Sequence, residues 1–187
     1  MPNHIRNVLK FKNLKPEDKE FIVNNFTSQL EDDDGEGVFP LDCIFDFDKI
    51  IPEPKIKSDC PKDCLVNKDS HVHEYEDRPW FDWYTWHNKY WGTKWNAYDG
   101  YIKVEKSTIT FVFSTAWNTP YPIYEQLAKK YNFDFEVRYA DEDWGSNCGI
   151  FTCEPDGTSG TRTLYHDNAK DYYKDATAFA RRLWNTY

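Results

Sequence analysis

The stretch "YIKVEKSTITFVFSTAW" (101–117) constrains this chain more than any other, because two alternating runs meet at a short Lys106–Ser107 turn. Alternation places every second side chain on one face of a strand, and so short a turn permits only antiparallel pairing. The chain is therefore expected to be built on an antiparallel sheet. "HIRNVLKFK" (4–12) and "FDFEVRYADE" (133–142) alternate in the same way, and "GIFTCEP" (149–155) and "TRTLYHD" (161–167) supply two short strands around the turn-rich "DGTSG". "FPLDCIFDFDKIIPEP" (39–54) predicts a further strand with Cys43, Phe45 and Phe47 on one side and Ile44 on the other, stopped by Pro52 and Pro54.

Helical periodicity fills the gaps between these runs. Pro16, Glu17 and Asp18 suit a first helical turn, after which Phe21, Ile22, Phe26 and Leu30 share a face. "PWFDWYTWHNKYWGTKWNA" (79–97) opens on Pro79 and runs out near Gly92, with Trp80, Trp83, Tyr84, His87 and Trp91 at three- and four-residue spacing. So large an aromatic stripe in an acidic protein is expected to be core rather than a stacking platform. Ile123, Tyr124, Leu127, Ala128 and Tyr131 form another face. The last helix is expected to be capped by Asn168 and to turn Tyr172, Ala176, Phe179, Ala180 and Leu183 inward. Strands interleaved with helices give an α+β fold: a single mostly antiparallel sheet with helices packed on one face, in one domain spanning 1–187. Residues 55–78 read as an inserted loop.

The formal charge of −9, from 23 basic against 32 acidic side chains, argues against a protein that tracks phosphates and suits a basic partner surface. Glu31, Asp32, Asp33, Asp34 and Glu36 lie in the Gly-containing run "EDDDGEGV", which cannot bury itself and is expected to be a solvated, partner-contacting loop. Neither a secretion signal nor a run long enough to span a membrane is visible, so a cytoplasmic protein is expected.

That compartment makes disulfides improbable for the 5 cysteines. The insertion contains "CPKDCLVNKDSHVH" (60–73), in which three residues separate Cys60 from Cys64 and one separates His71 from His73. Two thiolates and two imidazoles make a complete tetrahedral zinc set, with Cys43 as the substitute for one histidine, so the expected cofactor is a structural zinc. The physical reason is that 55–78 carries little apolar area to offset an ordering cost of about 1–2 kcal/mol per residue, and a zinc worth about 10 kcal/mol or more could fix it. Cys148 and Cys153 lack a neighbouring histidine and are expected to be buried free thiols.

Nothing in the pattern favours an enzyme. No P-loop, G-x-G-x-x-G or G-x-S-x-G is present; His4, His87 and His166 stand apart from one another; and Asp141, Glu142 and Asp143 at a strand end read as a solvated turn.

Three segments, "WGTKWNA" (91–97), "FSTAWNTPYPIYEQLAKKY" (113–131) and "YADEDWGSNCG" (139–149), resemble a family of small phage- and plasmid-borne proteins with a ferredoxin-like domain, the YubB type. "FDFDKIIPEP" (45–54) and the opening "MPNH" are also similar to it, whereas the Cys/His insertion departs from its pattern. The resemblance implies a mobile-element accessory protein of the kind that blunts host defence, working in the cytoplasm of the bacterial host. By analogy with zinc-carrying type II anti-CRISPR proteins, the expected partner is a host defence protein, most specifically a Cas9-type nuclease, bound without direct contact to nucleic acid or membrane. A metal-assisted hydrolase and an acidic DNA mimic are the alternatives.

The insertion yields a direct test. The purified protein should carry about one zinc per chain, and Cys60→Ser or Cys64→Ser should lose it; elemental analysis that finds essentially no metal would remove the knuckle.

Overall fold

The computed structural model describes residues 3–29, 43–53, 83–163 and 169–186. Its frame is a six-stranded antiparallel sheet of β1 (His4–Lys12), β4 (Tyr98–Val104), β5 (Ile109–Ala116), β6 (Asp134–Asp141), β7 (Cys148–Cys153) and β8 (Ser159–Thr163), in the order β4-β5-β1-β6-β7-β8. A two-stranded sheet of β2 (Thr27–Gln29) and β3 (Cys43–Phe45) lies beside it. The helices are α1 (Pro16–Phe26), α2 (Phe47–Ile50), α3 (Trp83–Tyr90), α4 (Tyr121–Lys130) and α5 (Ala169–Thr186).

In chain order, β1, α1, β4, β5, α4 and β6 make two interlocked βαβ crossovers with β4-β5-β1-β6 side by side, which is the ferredoxin-like arrangement. β7 and β8 extend it past β6 as a meander. The expected hairpin is β4 and β5, with Val104 opposite Ile109, so the alternation that singled it out does set its register.

That register sorts the side chains into two layers. Leu9 and Phe11 of β1, Phe111 and Phe113 of β5, Phe135 and Val137 of β6 and Phe151 of β7 form one buried layer beneath α1, α2 and α4. Phe11 is the hub, its ring within 6.1 Å of Phe26, Phe111, Phe133 and Phe135. On the other face, Val8, Val112, Ala140 and Cys148 pack against Ala176, Ala180 and Leu183 of α5. The sequence placed every helix on one face; α5 instead covers the opposite one. Its small residues Ala176 and Ala180 seat it close to the short side chains of that face, a difference that periodicity within a single helix does not encode.

Three local expectations are also corrected. Phe47 does not continue a strand, because the Asp46 carboxylate accepts from Asp48 N at 2.9 Å and opens α2. Phe21 is 40% exposed although Ile22 and Phe26 are buried; its ring lies at the edge of the aromatic layer, against Phe26, Tyr131 and Phe133. The aromatic helix expected as core presents no fully buried residue among 83–90; its buried tryptophan, Trp91, lies just beyond its end. Leu30, Trp80 and Asn168 lie outside the described residues, as does the side chain of Tyr172.

One polar cluster is enclosed within the first layer. Asn7 Nδ2 donates to Thr115 Oγ1 at 2.9 Å and to the Ile5 carbonyl at 3.0 Å, while its Oδ1 accepts from Thr119 Oγ1 at 2.6 Å and from the Tyr124 hydroxyl at 3.0 Å. The network ties β1 to the turn after β5 and to α4. Burial raises the Tyr124 hydroxyl's pKa well above the usual tyrosine range, keeping it a donor. Asn7→Ala would remove the oxygen that accepts from both buried hydroxyls, leaving them their mutual 3.2 Å contact, and should destabilise the fold by about 1–3 kcal/mol in chemical denaturation; a loss below about 0.5 kcal/mol would contradict this account.

Candidate functional site

The sheet has one end where the start of β1, the start of β4, the end of β5, the end of β6 and the turn before β7 converge, and the local chemistry there is unlike the rest of the surface. Its construction begins with α3. Gly92, at φ +79, lets the chain reverse after the helix and donates from its N–H to the His87 carbonyl at 3.0 Å. A Cβ at Gly92 would come within 2.7 Å of Pro122 Cδ, so the turn also lies tight against the start of α4. The buried Thr93 hydroxyl then donates to the Ala116 carbonyl at 2.8 Å and accepts from Ala116 N at 3.1 Å, fastening the loop to the end of β5. Asn96 completes the loop: its Oδ1 accepts from Phe47 N at 2.9 Å and its Nδ2 donates to Asp46 at 2.7 Å.

His87 holds the same loop from below. Its ring stacks on Trp91 at 4.0 Å between centroids, its Nδ1 donates to the Lys94 carbonyl at 2.9 Å, and its Nε2 lies 2.7 Å from the Glu53 carboxylate. A histidine that looked isolated in sequence is therefore a structural clamp between Glu53, Trp91 and Lys94.

Fixed in this way, Lys94 and Trp95 project beside Trp117. The Lys94 ammonium lies 4.6 Å from the Trp95 ring centroid, 5.2 Å from that of Trp117 and 6.0 Å from that of Tyr84. Tyr84, Trp95 and Trp117 keep 41%, 38% and 38% of their surface exposed, and Trp83 joins them from the first turn of α3, edge-on to Tyr84 at 5.8 Å. Scattered exposed rings are ordinary, but a contiguous group around a cation marks a binding surface.

Trp117 carries a second signal, in its backbone. Its φ is +68, a left-handed conformation that a bulky L side chain adopts at a cost of about 1–2 kcal/mol. The conformation is held by Trp117 N donating to the Asn3 carbonyl at 2.9 Å and by Asn147 Nδ2 donating to the Trp117 carbonyl at 3.0 Å. Asp99 and Asn147, at φ +46 and +41, share this end of the sheet, but those residue types tolerate the conformation and tryptophan does not. Strain retained to display a half-exposed indole is what a working surface shows.

Carboxylates border the rings. Asn3 Nδ2 donates to Asp143 at 2.9 Å and to Asp141 at 3.3 Å, and the Glu142 carboxylate accepts from His4 N at 2.9 Å. The sequence treated Asp141–Asp143 as one solvated turn; Glu142 and Asp143 are exposed, but Asp141 is buried, and that burial raises its carboxyl's pKa despite the two hydrogen bonds that oppose the shift. His4 Nδ1 shares a 2.6 Å hydrogen bond with the Tyr98 hydroxyl, whose pKa is pushed up to about 12, first by burial and then by Asp99 and Glu142. Tyr98 thus keeps its proton at physiological pH and links His4 beside the acidic turn to Trp95, whose ring is 6.0 Å from its own.

The residues singled out by spacing fall elsewhere. Cys60, Cys64, His71 and His73, together with Glu31, Asp32, Asp33, Asp34 and Glu36, lie outside the described residues. Cys43 is a half-buried free thiol on β3. Cys148 and Cys153 are buried free thiols, as expected, with pKa values raised chiefly by burial. No group of three metal-ligating side chains occurs among the described residues, and no helix there is long and apolar enough to cross a membrane. The aromatic end is not legible as one motif because its rings come from α3, the loop after it and the end of β5, and its carboxylates from "YADEDWG", segments that only the fold brings to one place.

Residues 90–179, just under half of the chain, match the family described as a ferredoxin-like domain in Api92-like protein. The match takes in Lys94, Trp95, Trp117 and Asp141–Trp144 and leaves Trp83 and Tyr84 outside it. No curated protein sequence and no solved structure matches the chain.

The strain assignment can be tested on the backbone alone. Trp117→Gly and Trp117→Ala delete the same ring, but only glycine accepts φ +68 freely. The glycine variant should therefore be the more stable of the two, by about 1 kcal/mol in denaturant melts; an alanine variant as stable as the glycine one would refute the strain.

Proposed function

We propose that the protein is a phage- or mobile-element accessory protein that inhibits a host defence system by protein–protein binding, without an enzymatic step of its own. The observation that carries this reading is the exposed group of Trp83, Tyr84, Trp95 and Trp117 at one end of a rigid sheet. Trp and Tyr in such a group are the side chains that dominate protein interfaces, because they cover much area at little cost in conformational freedom. The likeness of 90–179 to the ferredoxin-like domain of Api92-like protein supports the origin.

The most specific target is a Cas9-type nuclease. RNA-guided nucleases expose basic channels for nucleic acid, and a partner with a formal charge of −9 and carboxylates beside its contact rings is attracted to such surfaces. On this reading the acidic residues Glu31–Glu36 add long-range attraction, and a structural zinc on Cys60, Cys64, His71 and His73 stiffens the insertion.

The test uses a purified Cas9-type nuclease loaded with guide RNA and a matched DNA substrate. The wild-type protein should suppress cleavage, and Trp95→Ala or Trp117→Gly should raise the concentration needed by about tenfold or more, the usual consequence of deleting an interface anchor. Unchanged cleavage at micromolar protein, with no complex on gel filtration, sinks the nuclease assignment.

A further inference from the structure

The aromatic end of the sheet already holds a cation of its own. Lys94 places its ammonium among the rings of Tyr84, Trp95 and Trp117, and it pairs with no carboxylate among the described residues, although Glu142 and Asp143 border the same end. The attraction of an exposed ammonium to ring faces is comparable to the rotamer freedom a lysine gives up, so this occupancy is easily exchanged. The site is therefore shaped for a cation and filled by one that can leave.

A guanidinium fits it better than an ammonium. Being planar and weakly hydrated, it stacks on a ring and still directs edge N–H groups to carboxylates, which a point-charge ammonium cannot do at the same time. Two arginines of this chain already lie over tryptophan rings: Arg6 is 4.8 Å from the Trp184 ring centroid with its Nη1 donating to the Asp99 carbonyl, and Arg181 is 5.0 Å from that of Trp144, beside the acidic turn. The strained display of Trp117 gives the third wall of the cage a reason to be exposed.

We propose that Tyr84, Trp95 and Trp117 form a receptor for an arginine side chain of the partner protein, with Lys94 as an internal placeholder that withdraws when the arginine enters. This rests on the reading of the sheet end as the docking surface and names the chemistry that docks there. The exposed carboxylates of Glu142 and Asp143 meet the edge of the guanidinium, and the ring faces meet its plane.

The test follows the indole N–H resonances of 15N-labelled protein during titration with N-acetyl-arginine-N-methylamide. Its neutral isostere, N-acetyl-citrulline-N-methylamide, is the control. The arginine probe should shift the Trp95 and Trp117 indoles, the citrulline probe should bind at least about fivefold more weakly, and Lys94→Gln should tighten arginine binding by about three- to tenfold. Trp117→Gly should lose it. Equal affinity for citrulline, no shift even in the Lys94→Gln protein, or equal arginine affinity with and without Lys94 would each overturn the proposal. Shifts given by a short oligothymidylate in place of the arginine probe would overturn it too, in favour of a base-stacking surface. The docking reading fails by a different outcome, namely unchanged nuclease inhibition by the Trp95→Ala and Trp117→Gly proteins.

Discussion

β1 is hydrogen-bonded along its length to β5 on one side and β6 on the other, and it contributes buried residues to both layers, so its register is set by what each face meets. Val8 meets the layer under α5 while Leu9 and Phe11 meet the layer under α1 and α4, and a shift of one residue would exchange the two sets. Asn7 makes the requirement sharper, since its amide donates to the Ile5 carbonyl and Thr115 and accepts from Thr119 and Tyr124. A buried amide with every bond satisfied rigidifies what it touches, and a partly satisfied one is costly. What it touches includes Thr119, two residues after Trp117. The ring at the surface is thus positioned by a network at the centre.

The same logic accounts for the contrast between the two ends of the sheet. Where β4 turns into β5, the connection is a short polar turn closed by Glu105 N donating to the Thr108 carbonyl and bonded to one neighbouring corner, through Leu14 N on the Ser107 carbonyl and Lys19 Nζ on the Glu105 and Lys106 carbonyls. At the other end, Asn3, Thr93, Asn147 and His87 each bond across to a different segment. A loop held by that many long-range bonds can retain a tryptophan at positive φ, because relaxing it would break contacts in several places at once.

What was legible in the sequence was whatever a local period encodes. The alternation of 101–117 gave β4, β5 and their register, and the 120–132 pattern gave α4 with Ile123, Tyr124, Leu127 and Ala128 inside, as found. The failures lie where something other than the period decides. Phe47 has the parity of a strand residue but follows a capping aspartate; Phe21 adjoins the buried Ile22 but packs at the margin of the layer, edge-on to Phe26 and Tyr131. The stripe of α3 has core spacing, yet its outer rings remain exposed, because the face they would cover is occupied by Lys94 and Trp117 instead of an apolar wall. Periodicity measures which side chains share a face and is silent on what that face meets.

His87 joins residues 51–53 to the aromatic end. The chain at Ile51–Glu53 is clasped to α3 and its following turn by the Glu53–His87 contact and by Trp91 Nε1 donating to the Ile51 carbonyl at 3.0 Å. The same imidazole bonds the Lys94 carbonyl, from which the placeholder lysine rises into the aromatic cage. A displacement of Glu53 would therefore act first on His87, and through its other ring nitrogen on the backbone of Lys94.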